Sequence, residues 1–100
     1  MRKENSEYVK SVADDLAKYY KQDNLFEYFD DVLDVEYCVS SRREYLGIKV
    51  WVTLGGPNVW IDTRNKQVKL AWWGEVADYY LPNDVCDAID DIFAEHWGCI

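Results

Sequence analysis

The stretch Glu44–Trp73, EYLGIKVWVTLGGPNVWIDTRNKQVKLAWW, decides the fold of this 100-residue chain and holds four of its five tryptophans. Two turn signals divide it, Gly-Gly-Pro at 55–57 and Arg-Asn-Lys at 64–66. Glycine supplies positive φ values, proline cannot donate to a strand ladder, and Asn65 tolerates a left-handed conformation. Short turns of this kind predict three consecutive strands in an antiparallel meander.

The strands are predicted from a period of two in the side chains, which places aliphatic residues on one face and other residues on the opposite face. A further strand with one polar face is predicted over residues 32–40, and residues 75–81 are compatible with a fifth, edge strand. In the strand after residue 44, one side carries Leu46, Ile48, Val50, Val52 and Leu54, and the other carries Tyr45, Gly47, Lys49, Trp51 and Thr53.

Helical periodicity flanks the strands on both sides. Ser6 is a plausible N-cap for an amphipathic helix that ends near residues 22–24, and residues 25–31 are compatible with a short helical turn. A second helix is predicted from Pro82 to Gly98. We therefore predict one α+β domain over residues 1–100, with a four-stranded, or possible five-stranded, meander and both helices on its aliphatic face (αββββα).

The opposite face of the sheet is the predicted binding surface, because it gathers tryptophans that the two helices do not cover. Turns one and three of a meander lie at the same end of the sheet, so basic side chains are expected to cluster there. The predicted binding residues are Trp51, Trp60, Trp73, Lys49, Lys69, Arg42, Arg43, Arg64 and Lys66.

Three interpretations of this tryptophan face stay open at the level of sequence. A chain terminus, residues 75–81 or cross-strand Trp–Trp packing would cover it. A protein partner or a second copy would use the tryptophans as interface anchors. A ligand, including single-stranded nucleic acid, would stack on them.

The charge distribution is uneven. The formal net charge is −8, yet residues 40–73 carry +4, and residues 74–100 contain no Lys or Arg. The excess of acid makes binding to nucleic acid or to an anionic membrane unlikely as a simple electrostatic event. An acidic stripe on the last predicted helix offers an alternative function, a DNA mimic that inhibits a host nuclease or restriction enzyme. The stripe consists of Asp84, Asp87, Asp91 and Glu95.

Signals for catalysis are weak, so we predict a non-enzymatic protein without a cofactor or metal. The single histidine, His96, falls on an apolar helical arc, where a packed and hydrogen-bonded role is expected. Three cysteines, Cys38, Cys86 and Cys99, lack the CxxC spacing of zinc sites. Their odd number favours a reducing compartment, and no apolar run reaches the roughly 18 residues of a membrane span. We expect a cytoplasmic protein.

The run GGPNVWIDT, followed by WWG, resembles a family of small accessory proteins carried by conjugative and other mobile elements of Gram-positive bacteria. In that family a GGPN-aromatic-Ile-Asp-Thr hairpin precedes a Trp-Trp-Gly strand end and an acidic C-terminal helix. The resemblance spans residues 32–97 and brings no assigned activity. It implies a mobile-element accessory, and together with the tryptophan face it predicts an interaction protein that engages a partner or itself.

Overall fold

The chain forms a five-stranded antiparallel sheet with helices on one face, in a computed structural model that describes residues 3–31, 34–54 and 56–99. The strand order β1-β2-β3-β4-β5 follows the chain, which confirms the predicted α+β meander and adds the fifth strand. Positions 32, 33 and 55 of the predicted strands and turns lie outside the described residues. The elements are α1 (Lys3–Lys21), α2 (Leu25–Tyr28), a 3-10 turn (Phe29–Asp31), β1 (Asp34–Val39), β2 (Tyr45–Thr53), β3 (Asn58–Asp62), β4 (Gln67–Trp72), β5 (Glu75–Tyr80) and α3 (Asn83–Gly98).

The core lies between the sheet and the helices. Val50, Ile61 and Val68 stand directly opposite one another on β2, β3 and β4, and each is fully buried. α1 covers β4 and β5, while α3 covers β2. Leu16 of α1 and Ile89 of α3 are also fully buried, so each helix contributes an apolar stripe to the same core. We call this side of the sheet the helix face and the opposite side the outer face.

The predicted start of α1 is wrong. Ser6 lies inside the helix, which is already formed at Lys3. Asn5 is buried on the same side as Val9, one turn further along, so the buried stripe of α1 begins before Ser6. The predicted end near residues 22–24 and the short helical turn after it are both confirmed.

Two β-bulges interrupt the strict alternation predicted for β2. The register shifts between Cys38 and Val39 on β1, and again between Trp51 and Thr53 on β2. An extra residue in one strand reverses the facing of the side chains beyond it. Leu46 and Leu54, both expected in the core, are therefore about half exposed (46% and 52%).

The first bulge also turns Tyr45 towards α3, where it forms a hydrogen bond between sheet and helix. Its hydroxyl donates to Asp90 Oδ1 at 2.7 Å. Burial, and next the hydrogen bond to Asp90, raise the pKa of Tyr45 well above its ordinary value. The predicted placement of Tyr45 on the outer face is therefore wrong.

The turns are built differently from the predicted ones. Lys66, and not Asn65, takes the left-handed conformation after β3, with φ of 56°. Asn65 instead donates from its backbone and its side chain to the carboxylate of Asp62 (3.1 and 2.7 Å). Between β4 and β5, Trp73 and Gly74 both have positive φ (52° and 78°), as a two-residue type I′ hairpin turn requires.

Replacing Tyr45 with Phe is expected to lower the free energy of unfolding by about 1–2 kcal/mol near neutral pH, because the hydrogen bond to Asp90 is lost. A phenol with a raised pKa in the folded state contributes stability that is complete below its unfolded pKa of about 10 and is lost as the pH rises further. Wild-type protein should therefore lose stability more steeply than Tyr45→Phe above about pH 10. Urea unfolding at several pH values measures both effects.

The exposed Tyr20→Phe variant is the control for this comparison. Equal pH slopes for wild type and Tyr45→Phe would contradict the bridging role of Tyr45.

Candidate functional site

The centre of the outer face is a pair of tryptophans. Trp51 and Trp60 stand directly opposite each other on β2 and β3, with ring centroids 4.7 Å apart and planes inclined at 35°. Each side chain is only half-buried, and neither belongs to the hydrophobic core. Cross-strand aromatic pairs stabilise a sheet by roughly 0.5–1.5 kcal/mol beyond their buried area. The pair therefore shields itself in part and still presents aromatic surface to solvent.

Positively and negatively charged side chains alternate across the strands around this pair. In the row that contains the tryptophans, Lys69 follows Trp60 and stands opposite Asp78 of β5. In the next row, Lys49 lies between Glu36 of β1 and Asp62 of β3. Lys49 and Lys69, the two lysines predicted for the outer face, therefore each have a carboxylate on a neighbouring strand. The outer face is close to electrically balanced instead of basic.

Trp73 is not on the outer face, and the predicted three-tryptophan face is wrong in this respect. β4 ends at Trp72, and Trp73 occupies the turn to β5 with 80% of its surface exposed. Its ring contacts that of Trp72 in an edge-to-face arrangement, with centroids 5.3 Å apart. Alternation assigns a face only within a strand, so the turn conformation of residue 73 removes it from the pattern.

Further apolar side chains that the sequence did not indicate lie towards this end of the sheet. Ala71 of β4 and Val76 of β5 are opposite each other on the outer face, and Val76 is 67% exposed. Residues 75–81 extend the sheet and leave the tryptophans uncovered. We call the following set the outer apolar surface: Trp51, Trp60, Ala71, Val76, and, at the adjoining end, Trp73 and Leu54.

The basic residues gather at the other end, as predicted, but they point in different directions. Arg43 lies over the ring of Trp97 in α3, 5.5 Å from its centroid, and its carbonyl oxygen accepts a hydrogen bond from Trp97 Nε1. Arg64 crosses Gly47 on the outer face and donates to Cys38 Sγ at 3.0 Å. Arg42 and Lys66 are exposed in their turns. The four residues do not form one continuous basic patch.

A polar depression of 350 Å³ lies at this end, lined by Cys38, Lys49, Asp62, Arg64 and Asn65. Both carboxylate oxygens of Asp62 are engaged by Asn65, and Asp62 is almost completely buried. Through these hydrogen bonds Asp62 fixes the β3–β4 turn.

The cysteines lie apart from one another. Cys38 contacts Arg64, and Cys99 is exposed after α3. Cys86 is buried on the core side of α3, and burial raises the pKa of its thiol to about 11. Over the described ranges, no three His, Cys, Asp or Glu side chains are arranged to hold a metal ion.

His96 is hydrogen-bonded as expected but is not a core residue. Its Nδ1 lies 2.5 Å from the hydroxyl of Tyr37, and the two rings are stacked, yet the histidine is exposed. The apolar residues next to His96 on α3 are themselves only partly buried. Helical periodicity therefore overestimated the burial of His96.

The predicted acidic stripe lies on the solvent side of α3. All four of its side chains are exposed. Asp91 and Glu95 border depressions beside α2, whereas Asp84 and Asp87 line none of those described near α3. The stripe is therefore accessible, and its two halves have different surroundings.

Comparison with known proteins adds no relative. Neither protein-family models, nor curated proteins, nor solved structures contain a match to this chain. Among the helices of the described residues, none is both long and apolar enough to cross a membrane. The function must therefore be argued from the surfaces themselves.

Trp73 should be the tryptophan most accessible to a soluble quencher, because the remaining four are at most partly exposed. Acrylamide quenching of Trp73→Phe should show a clear loss of the readily quenched emission. Trp97→Phe, which removes a tryptophan hydrogen-bonded to Arg43, should retain that emission. The placement of Trp73 in an open turn would be wrong if the two variants quenched alike.

Proposed function

We propose that this chain is a non-enzymatic interaction protein that binds a protein partner, or a second copy of itself, through the outer apolar surface. The observation that carries the proposal is the exposure of Trp73 and Val76, at 80% and 67%, on a sheet whose outer face also carries a half-buried tryptophan pair. Large apolar side chains gathered on one surface mark interaction sites in proteins, and tryptophan is enriched among interface anchors.

The energetic argument favours coverage of this surface. A tryptophan side chain presents roughly 150–250 Å², and burial of apolar area contributes about 25 cal/mol per Å². Burying the exposed part of Trp73 alone is thus favourable by about 3–5 kcal/mol before the entropic cost of association. Val76 and the tryptophan pair add to this. The surface is sufficient for a specific protein contact of modest size.

The charges around the tryptophan pair fit a protein partner better than a nucleic acid. Lys69 faces Asp78, and Lys49 faces Glu36, so a phosphate approaching either lysine would meet a carboxylate as well. Binding of single strands needs a positive groove along the backbone. Alternating charges are common at the rim of a protein interface, where they contribute to specificity. Single-stranded nucleic acid is accordingly a minor alternative.

The biological setting that we propose is a mobile genetic element in the cytoplasm of a Gram-positive bacterium. Its support is the resemblance of GGPNVWIDT and WWG to accessory proteins of such elements. Three cysteines without disulfides agree with a reducing compartment. The element's accessory function would then be exerted through the bound partner.

The double variant Trp73→Ser/Val76→Ser should abolish association without unfolding the chain. Both side chains are largely exposed, so their replacement should change the free energy of unfolding by no more than about 0.5 kcal/mol each. Sedimentation equilibrium over a range of concentrations reports self-association. Capture from a Gram-positive lysate, with bound proteins identified by mass spectrometry, reports a partner.

Leu46→Ser is the matched control, since it removes an exposed apolar side chain from β2 at the opposite end of the sheet, outside both proposed surfaces. A monomer at all concentrations, together with identical capture by wild type and the double variant, would refute the proposed surface.

The alternative function, a DNA mimic, is supported by the exposure of all four side chains of the stripe along α3. Its four carboxylates extend over 12 residues, or about 16 Å of helix. Duplex DNA carries roughly one charge per 1.7 Å, so the stripe is sparse by comparison. If the alternative is right, Asp84→Asn/Asp87→Asn/Asp91→Asn/Glu95→Gln should abolish inhibition of a restriction enzyme or nuclease in a plasmid-cleavage assay. Trp73→Ser/Val76→Ser should leave that inhibition intact.

A further inference from the structure

We propose that a groove between α2 and α3 binds a basic, amphipathic segment of a partner protein. This α2–α3 groove is distinct from the outer apolar surface, because it lies in the helix layer on the other side of the sheet. Its apolar residues are Leu25, Phe26, Phe29, Ala88, Ile92 and Phe93, and its acidic rim consists of Asp23, Asp30, Asp91 and Glu95.

The groove is continuous along α3. Three depressions of 290, 160 and 270 Å³ follow one another from the end of α1 to the end of α3. Phe26 and Ile92 line all three of them. Because the depressions share these two walls, we treat them as one groove, whose α3 side runs from Ala88 to His96, a rise of about 12 Å.

The packing of the folded chain does not account for the high exposure of Phe26 in this groove. Its neighbours Leu25 and Phe29 are buried (6% and 9% exposed), whereas Phe26 is 71% exposed. α2 has only four residues, so buried Leu25 within it and buried Phe29 directly after it fix its orientation, and Phe26 is left exposed beside Ile92. An aromatic ring held in this way is a ready anchor for an apolar side chain of a partner.

The charge around the groove indicates which kind of partner it would bind. All four rim residues are acidic and exposed, and neither Lys nor Arg lines any of the three depressions. Two runs of the chain without Lys or Arg, residues 22–41 and 74–100, supply this rim. They are far apart in sequence, and at the groove they meet where α2 packs against α3. The groove is therefore an apolar channel inside a local excess of negative charge.

A basic peptide segment is the occupant that matches both properties. Its apolar side chains would contact Phe26 and Ile92, and its Lys or Arg side chains would meet the carboxylates of Asp91 and Glu95. Nucleic acids and anionic membranes would be repelled by the same rim. A small organic cation would fill one depression and leave the others open. His96 also lines the groove, where its Nδ1 is engaged by the hydroxyl of Tyr37.

Selection from a random 12-residue peptide library on the purified full chain tests the proposal. Selected peptides are expected to be enriched in Lys or Arg together with aromatic or aliphatic residues. Phe26→Ser should weaken their binding at least about tenfold, and Asp91→Asn/Glu95→Gln should weaken it about three- to tenfold. Raising the salt concentration should weaken binding to wild type and have less effect on the charge variant. Isothermal titration calorimetry measures each affinity.

Three controls make the outcome decisive. Asp84→Asn/Asp87→Asn removes the same charge from the same helix outside the groove and should change affinity less than about twofold. Trp73→Ser/Val76→Ser should have no effect, and circular dichroism should show that Phe26→Ser remains folded. The proposal is overturned if no peptide is selected, if the selected peptides lack excess basic residues, if Phe26→Ser binds like wild type, or if both charge variants lose affinity equally.

Discussion

The structure depends on one row of aliphatic side chains that crosses the middle of the sheet. Val50, Ile61 and Val68 are in register on three neighbouring strands, and water reaches none of them. Because side chains alternate between the two faces, a shift of one residue in any of these strands would move a valine or isoleucine into solvent. Burial of this row therefore fixes the register, and the register places Trp51 opposite Trp60 on the outer face. The position of the tryptophan pair is a consequence of core packing.

The two ends and the two edges of the sheet differ in chemistry. The end with the β1–β2 and β3–β4 turns is basic, and the other end is apolar through Leu54 and Trp73. At the edges, β1 presents Asp34 and Glu36, which discourage the addition of another strand, as charged edge residues do in many sheets. The β5 edge presents Val76 and Tyr80, both largely exposed. Under the proposed function, this asymmetry would direct a partner towards the apolar end and the β5 side.

The two proposed surfaces lie in different layers and do not compete for space. The outer apolar surface is on the exposed face of the sheet, whereas the α2–α3 groove lies among the helices. Their chemistry also differs, since the first has balanced charge around aromatic residues and the second has only carboxylates around Phe26. A chain with both surfaces occupied would hold two partners on opposite sides.

The sequence by itself determined the helices, the meander and the two faces of the central strands, because these follow from local periodicity and turn residues. The alternation from Gly47 to Trp51 predicted which face each residue occupies, and GGP and RNK predicted where the chain turns. Trp51, Trp60, Lys49 and Lys69 were placed correctly for this reason.

Only the tertiary structure decided the features that depend on bulges, turn conformations and distant packing. Two bulges moved Tyr45 towards α3 and exposed Leu46 and Leu54, since an inserted residue reverses alternation without any clear signal in the sequence. A turn conformation removed Trp73 from the outer face. The α2–α3 groove has no local signal at all, because the entire sheet separates α2 from α3 in sequence and the two helices meet only in the folded chain.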